Sequence, residues 1–304
     1  MDVNRRGFMQ CMAWAGTGVL WTMTGGVLSS CSLANQGAAG SGTFSFAQIS
    51  DTHVGFNGPA NKDAMGTLTE SIARINAQSA PPAFVLHTGD LSHGQKPGAF
   101  DTLNESLKAI KTERIFFIPG EHDVAIDGGK EYLARYGADT VGQRGWRSFD
   151  YKGVHFVGLV NVLQYKADGL GALGTEQLEW LEKDLAPLGS STPIVVYSHV
   201  PLWAVYPKWG WTTGDATQAF GYLKKFGSVT ALNGHIHQVI QKVEGNITFH
   251  SAMSTAFPQP APGAAPSPGP MKVADDQLRK VLGVREVRHA AGSETLAVVN
   301  TPLA

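Results

Sequence analysis

The chain has 304 residues, of which 43% are hydrophobic and 16% charged. That content can pack one large domain or two small ones and excludes a chain disordered throughout. A formal net charge of −1 with no basic block argues against binding a nucleic-acid polymer.

The chain opens with Asn4-Arg5-Arg6-Gly7-Phe8-Met9, and no Asp, Glu, Lys or Arg follows until Asp51. Residues 8–28 are apolar but diluted by Gly16, Gly18, Gly25 and Gly26. A run of that length can span a bilayer as a retained helix. The order of charged start, apolar centre and small residues reads better as an export signal over residues 1–30, and it resembles the twin-arginine type. Leu28-Ser29-Ser30-Cys31 resembles a lipobox, which implies acylation of Cys31 and a periplasmic or cell-surface protein held to a membrane by lipid. Cys11 and Cys31 are the two cysteines, so a chain cut at residue 30 has no internal disulfide. Residues 31–43 are small and polar and read as a flexible tether.

The domain spans residues 44–304. Strands are predicted over 44–50, 84–87 and 114–118, alternating with helices over 61–79 and 99–111; the first helix rests on Met65, Leu68, Ile72 and Ile75 at helical spacing. A short helix over 130–136 precedes a hairpin, 147–151 with 154–160, around Lys152-Gly153. A helix over 175–185 with Thr175 as cap, a buried strand over 193–197 and a helix over 215–226 follow. Strands over 229–232, 239–243 and 247–250 come next. The prolines between 256 and 270 exclude a helix or a central strand, leaving a linker or an extended strap lying on the fold. Residues 277–287 and 296–299 add a helix and edge strands. This alternation is α/β.

Five apolar runs end in ionisable groups: Asp51-Thr52-His53, Gly89-Asp90, Gly120-Glu121-His122-Asp123, Ser198-His199 and Gly234-His235-Ile236-His237. Ligand sites in open α/β sheets form beyond the carboxyl ends of strands, and these residue types suit transition metals. Taken singly each has a plainer reading. Asp123 can cap a turn, and His199 can be a satisfied strand-end histidine. His87 and His155 sit within strand runs and read as core or surface histidines, whereas His93 and His250 lie near the blocks and can reach a substrate.

In order and spacing the five blocks, within residues 44–250, resemble the calcineurin-like metallophosphoesterases. The resemblance implies two β-sheets packed as a sandwich flanked by helices. It implies two transition-metal ions, iron, manganese or zinc, bridged by Asp90. Asp51, His53 and His237 complete one site, and Glu121, His199 and His235 the other. A bridging hydroxide is the nucleophile, His122 the general acid, and Asp123 orients His122 through its second ring nitrogen. The implied activity is hydrolysis of a phosphoester whose identity stays open among nucleotides, cyclic nucleotides, sugar phosphates and lipid head groups. The alternative is an exported binding or scaffold lipoprotein on a degenerate version of this fold.

The family usually has Asn where this chain has Glu121. A third carboxylate favours harder, more highly charged ions, so iron or manganese gains over zinc; alternatively Glu121 turns away and water takes its place. Between two blocks, residues 201–213 carry Trp203, Tyr206, Trp209 and Trp211. They form either an aromatic wall beside the site or a loop packed on the domain or touching the membrane.

Overall fold

The computed structural model describes residues 42–164 and 170–304, and within the first 41 residues only a hairpin, Val19–Thr24 (β1) with Val27–Ser32 (β2). The expected export signal and most of the expected tether otherwise lie outside the described residues, and Cys31 stands in β2 opposite Leu20. Gly42 and Thr43, at the tether's end, are bound to the domain. The Gly42 carbonyl lies 3.0 Å from His289 Nδ1, and Thr43 Oγ1 accepts from the Ala291 amide at 3.1 Å. Among the described residues no helix is long and apolar enough to cross a membrane.

The remaining elements, in order, are β3 (Phe44–Ile49), α1 (Ala64–Asn76), β4 (Val85–Thr88), α2 (Ala99–Leu107), β5 (Ile115–Ile118), α3 (Lys130–Tyr136), β6 (Arg147–Tyr151), β7 (Val154–Gly158), α4 (Thr175–Leu185), β8 (Ile194–Ser198), α5 (Ala216–Leu223), β9 (Val229–Asn233), β10 (Gln241–Glu244), β11 (Ile247–Ser251), α6 (Asp275–Val281), β12 (Gly283–His289) and β13 (Leu296–Pro302). They build two mixed sheets, ordered β13-β12-β3-β4-β5 and β10-β11-β9-β8-β7-β6. In each sheet the central strands run parallel.

The period of two along each strand sorts side chains into layers. Phe46, Leu86 and Phe116 of the first sheet meet Phe156, Val195, Tyr197 and Leu232 of the second in a shared core. The alternate residues face outward. Ala47, Ile49 and Val85 pack under Leu68, Ile72 and Ile75 of α1 and Phe100 and Leu103 of α2. Ile194, Val196, Val229 and Ala231 pack under Leu178 and Leu181 of α4 and Ala219 and Leu223 of α5. The result is a sandwich flanked by helices, as expected.

Boundaries differ where side chains take other partners. The first helix starts at Ala64, with the Asp63 carboxylate accepting from the Gly66 amide at 2.8 Å. Asn61, expected inside that helix, instead donates to the Ala256 carbonyl at 2.7 Å. Gly174, not Thr175, caps α4. Of the helix and edge strands expected over 277–287 and 296–299, the strand that forms β12 is interior, paired to β3 and β13 on its two sides, and β13 is an edge.

Candidate metal centre

β3, β4, β5, β8 and β9 all end at the same rim of the sandwich, and each delivers one of the five blocks. The turns that follow are tight. Asp51, His53, Asp90, His235 and His237 all have left-handed backbone, with φ between 41° and 69°. Such conformations in residues other than glycine are strained and persist where the surroundings enforce them. Two glycines permit the close packing: a methyl at Gly120 would collide with the Asp90 carboxylate, and one at Gly234 with Ser50 and the Asp51 carboxylate.

Two donor sets result. Asp51, His53, Asp90 and His237 present one ligand atom each within a sphere of ligand-to-ligand distances below 4.8 Å, and so do Glu121, His199 and His235. In the first set Asp51 Oδ1 lies 3.2 Å from His237 Nε2, and the Nε2 atoms of His53 and His237 are 3.3 Å apart. In the second, Glu121 holds Oε2 2.9 Å from His199 Nε2 and Oε1 3.0 Å from His235 Nδ1. Asp90 joins them: its Oδ2 is 3.4 Å from His53 Nε2 and 3.4 Å from His199 Nε2. Glu121 faces the site in this structure and does not turn away.

The histidine tautomers suit metal binding. His199 Nδ1 donates to the Thr88 carbonyl at 2.7 Å and His237 Nδ1 to the Phe257 carbonyl at 2.6 Å. A carbonyl can only accept, so each Nδ1 carries a proton, and when the ring is neutral its Nε2 offers a lone pair. His199 Nε2 is buried facing the carboxylates of Glu121 and Asp90 without a hydrogen bond of good geometry, which is costly for a polar atom unless something else binds it. Burial, with His122, His237 and His93 nearby, holds His53 well below the usual histidine range, so its ring is neutral as well. Burial would raise the carboxyl of Glu121, but His235 and His199 outweigh it and hold it well below the usual carboxylate range. Without a cation, Asp90 and Glu121 raise His199 well above its usual range despite burial. Carboxylates and imidazoles at these distances fit transition-metal ions.

His122 borders the pocket and donates its backbone amide to Asp90 Oδ1 at 3.0 Å. Burial alone would lower its pKa, but Asp90, Glu121 and Asp123 outweigh burial and raise it. The expected contact from Asp123 to its ring is corrected. Asp123 is fully buried and accepts from the amides of Leu91 (2.9 Å), Ser92 (2.8 Å) and Gly120 (2.9 Å) and from Ser92 Oγ (3.0 Å). Residues 121–123 form one turn of 3₁₀ helix, whose threefold repeat points successive side chains about 120° apart. Burial and the charge of Asp90 push Asp123 up to about 7, against the pull of those amides.

The pocket over these groups has a volume of about 210 Å³. Its wall includes Trp209 and Trp211 of the aromatic loop, whereas Trp203 packs on Phe249 in the core beneath α4 and α5. Residues 256–260 are buried, so the proline-rich segment is a strap rather than a linker. Phe257 stacks on His53 with centroids 4.6 Å apart, and Gln259 Nε2 donates to the His235 carbonyl at 2.7 Å. His93 reaches the pocket; His250 does not line it and is pushed down to about 4 by burial and Arg285. His87 is buried beside Thr52 Oγ1 at 3.1 Å and pushed down to about 3.

Sequence reasoning missed Phe257, whose carbonyl fixes His237, and Arg285, whose buried guanidinium binds Gln48 Oε1 and the carbonyls of His250 and Ser251 behind the strand ends. Both lie beyond the last ligand block, where no motif marked them.

Residues 44–239 match the family model for calcineurin-like phosphoesterases. A 3',5'-cyclic-nucleotide phosphodiesterase of Nostoc sp. is 25% identical over 219 residues, 70% of this chain and 79% of that protein. A probable glycerophosphodiester phosphodiesterase of Arcobacter nitrofigilis is 26% identical over 218 residues, 68% of this chain and 77% of that protein. Among solved structures, a dimetal phosphatase from Danio rerio superposes with a TM-score of 0.61 at 13% identity, covering 86% of this chain and 96% of that one. A purple acid phosphatase from yellow lupin does so with a TM-score of 0.62 at 14% identity, covering 86% and 52%. At such identities the two structures speak for the fold alone, and they agree with a match that spans most of the sandwich and every ligand block: the chain belongs to the calcineurin-like phosphoesterase family.

Proposed function

We infer that this phosphoesterase is a dinuclear phosphodiesterase. The observation that carries the reading is the pair of donor sets joined at Asp90. Asp51, His53, Asp90 and His237 would hold one ion, and Glu121, His199 and His235, with Asp90 shared, the other. Ions bound there supply Lewis acidity to the phosphoryl oxygens and lower the pKa of the attacking water. The chain's own residues do the rest. His122 holds a proton beside the donor sets and gives it to the departing alkoxide. Phe257 and the strap shield His53 and His237 from water on one side.

Charge selects the diester. Among the described residues no Lys or Arg lines the pocket, and Glu121 adds a third carboxylate to Asp51 and Asp90. With both ions bound, the third carboxylate lowers the net positive charge that the site offers, so the second negative charge of a monoester dianion gains less there than at a site with two carboxylates. The two relatives, a cyclic-nucleotide phosphodiesterase and a probable glycerophosphodiester phosphodiesterase, agree. The test is turnover by the manganese- or iron-loaded protein of bis(p-nitrophenyl) phosphate against p-nitrophenyl phosphate. Faster turnover of the monoester overturns the diester assignment.

The same reading places the protein outside the cytoplasm, anchored through acylated Cys31. Arg5-Arg6, the uncharged run up to Asp51 and Leu28-Ser29-Ser30-Cys31 support it. Mass spectrometry of the cellular protein's N-terminus checks this; an intact Met1 on the membrane-bound form refutes it.

A further inference from the structure

The metal pocket has a second wall that the phosphoryl chemistry does not use. Trp209 sits at the end of a 3₁₀ turn, Pro207–Trp209, in a loop closed by the Val205 amide donating to the Trp211 carbonyl at 2.9 Å. Two rings brace its indole edge-on: Tyr206 and the fully buried Trp211, each with a centroid 5.1 Å away at an 84° interplanar angle. The strap supplies other parts of the lining, Pro268, Gly269 and Pro270. Its two arms are tied together, the Met271 amide donating to the Pro258 carbonyl at 2.8 Å and the Gly269 amide to Gln259 Oε1 at 3.0 Å. Strap and loop also meet at the strap's tip, where a methyl at Gly263 would come within 3.2 Å of the Tyr206 hydroxyl.

We propose that Trp209 and the proline strap form a subsite for a flat aromatic substituent of the substrate, adjoining the metal centre. The inference rests on the phosphoesterase reading and adds the class of organic group. An indole braced by two rings and a pair of rigid pyrrolidine rings offer stacking surface at little conformational cost. Gln259 lines the same pocket, and both ends of its amide are committed, Nε2 to the His235 carbonyl and Oε1 to the Gly269 amide. The wall therefore offers mainly stacking surface and favours aromatic over aliphatic substituents.

The probes are phenylphosphonate and methylphosphonate, whose P–C bond the enzyme does not hydrolyse and whose charges match. Calorimetry on metal-loaded protein should show phenylphosphonate binding about tenfold tighter, the scale of one ring stacked on an aromatic side chain. Trp209→Ala should abolish that preference while leaving methylphosphonate affinity and metal content unchanged, and Trp209→Phe should restore most of it. Equal affinities in the wild type, or a Phe variant no better than the Ala variant, overturn the subsite. Turnover of bis(p-nitrophenyl) phosphate is scored separately. Turnover without the phenyl preference removes the subsite and keeps the phosphodiesterase; the phenyl preference without turnover does the reverse.

Discussion

His93 lies flat on His122, with ring centroids 4.9 Å apart and planes inclined by 18°. The His93 Nδ1 is also 3.2 Å from His53 Nδ1, so one side chain touches a candidate ligand and the candidate acid. Burial, with His122 and Lys96 nearby, holds His93 down at about 4, which keeps it neutral beside His122.

From this arrangement His122→Ala should leave two ions bound and lower turnover by ~10²–10⁴-fold, the usual worth of a general acid. The loss should shrink for esters with good leaving groups. His93→Ala should lower kcat less, and His93→Phe should recover part of the loss by keeping the stack. Steady-state kinetics with metal analysis decides. If His122→Ala empties a metal site, its role is that of a ligand.

Glu121 bonds both histidines of the second donor set. Glu121→Asn removes one negative charge and keeps a neutral oxygen donor. The variant should still hold two ions but shift its preference toward zinc in competition with iron or manganese. It should also accept monoester dianions better. Unchanged preference and unchanged ester selectivity would make Glu121 a bystander.

Gly120 packs its bare α-carbon against the Asp90 carboxylate. Gly120→Ala should displace Asp90 and weaken metal binding in a protein that remains folded by circular dichroism. Gly153, in the exposed turn between β6 and β7, has open space around a Cβ but a φ of 86°, so Gly153→Ala should cost about 1 kcal/mol of stability and leave metal content unchanged.

His155 on β7 lies 2.9 Å from Asp184 Oδ2 and 2.8 Å from Asp150 Oδ1, far from the metal pocket. Burial lowers its pKa, but the two carboxylates outweigh burial and raise it above 6.5. A raised folded-state pKa stabilises the protein fully below the unfolded value and loses that contribution as pH rises through the folded value. Wild type should therefore exceed His155→Gln by about 1 kcal/mol near pH 6, with the gap narrowing as pH climbs above 6.5. Denaturant melts across that range measure it; a gap that widens with pH contradicts the assignment.

Much of the fold was legible because strand ends, helix periodicity and the five blocks are local signals. The strand expected at an edge within residues 277–287 proved interior, because its partner β3 lies far away in the sequence and leaves no local signal. Arg285 is buried and satisfied by Gln48, Asn300 and two carbonyls, and Glu286 pairs with Arg288. The seven candidate ligands converge, but Asp123 was misplaced because neighbouring residues in a tight turn do not face each other. Phe257 and His93 act through stacking and a carbonyl, which leave no spacing pattern in a sequence.

The shared carboxylate is the centre of the account, since Asp90 alone lies 3.4 Å from a histidine of each donor set. Calorimetric titration of metal-free protein with manganese, wild type against Asp90→Asn and Asp90→Ala, tests it most directly. The account predicts two ions per chain for wild type, and for Asp90→Ala the loss of tight binding at both sites together with turnover of bis(p-nitrophenyl) phosphate. An Asp90→Ala protein that still binds two ions with unchanged affinity, or a wild type that saturates at one, contradicts it.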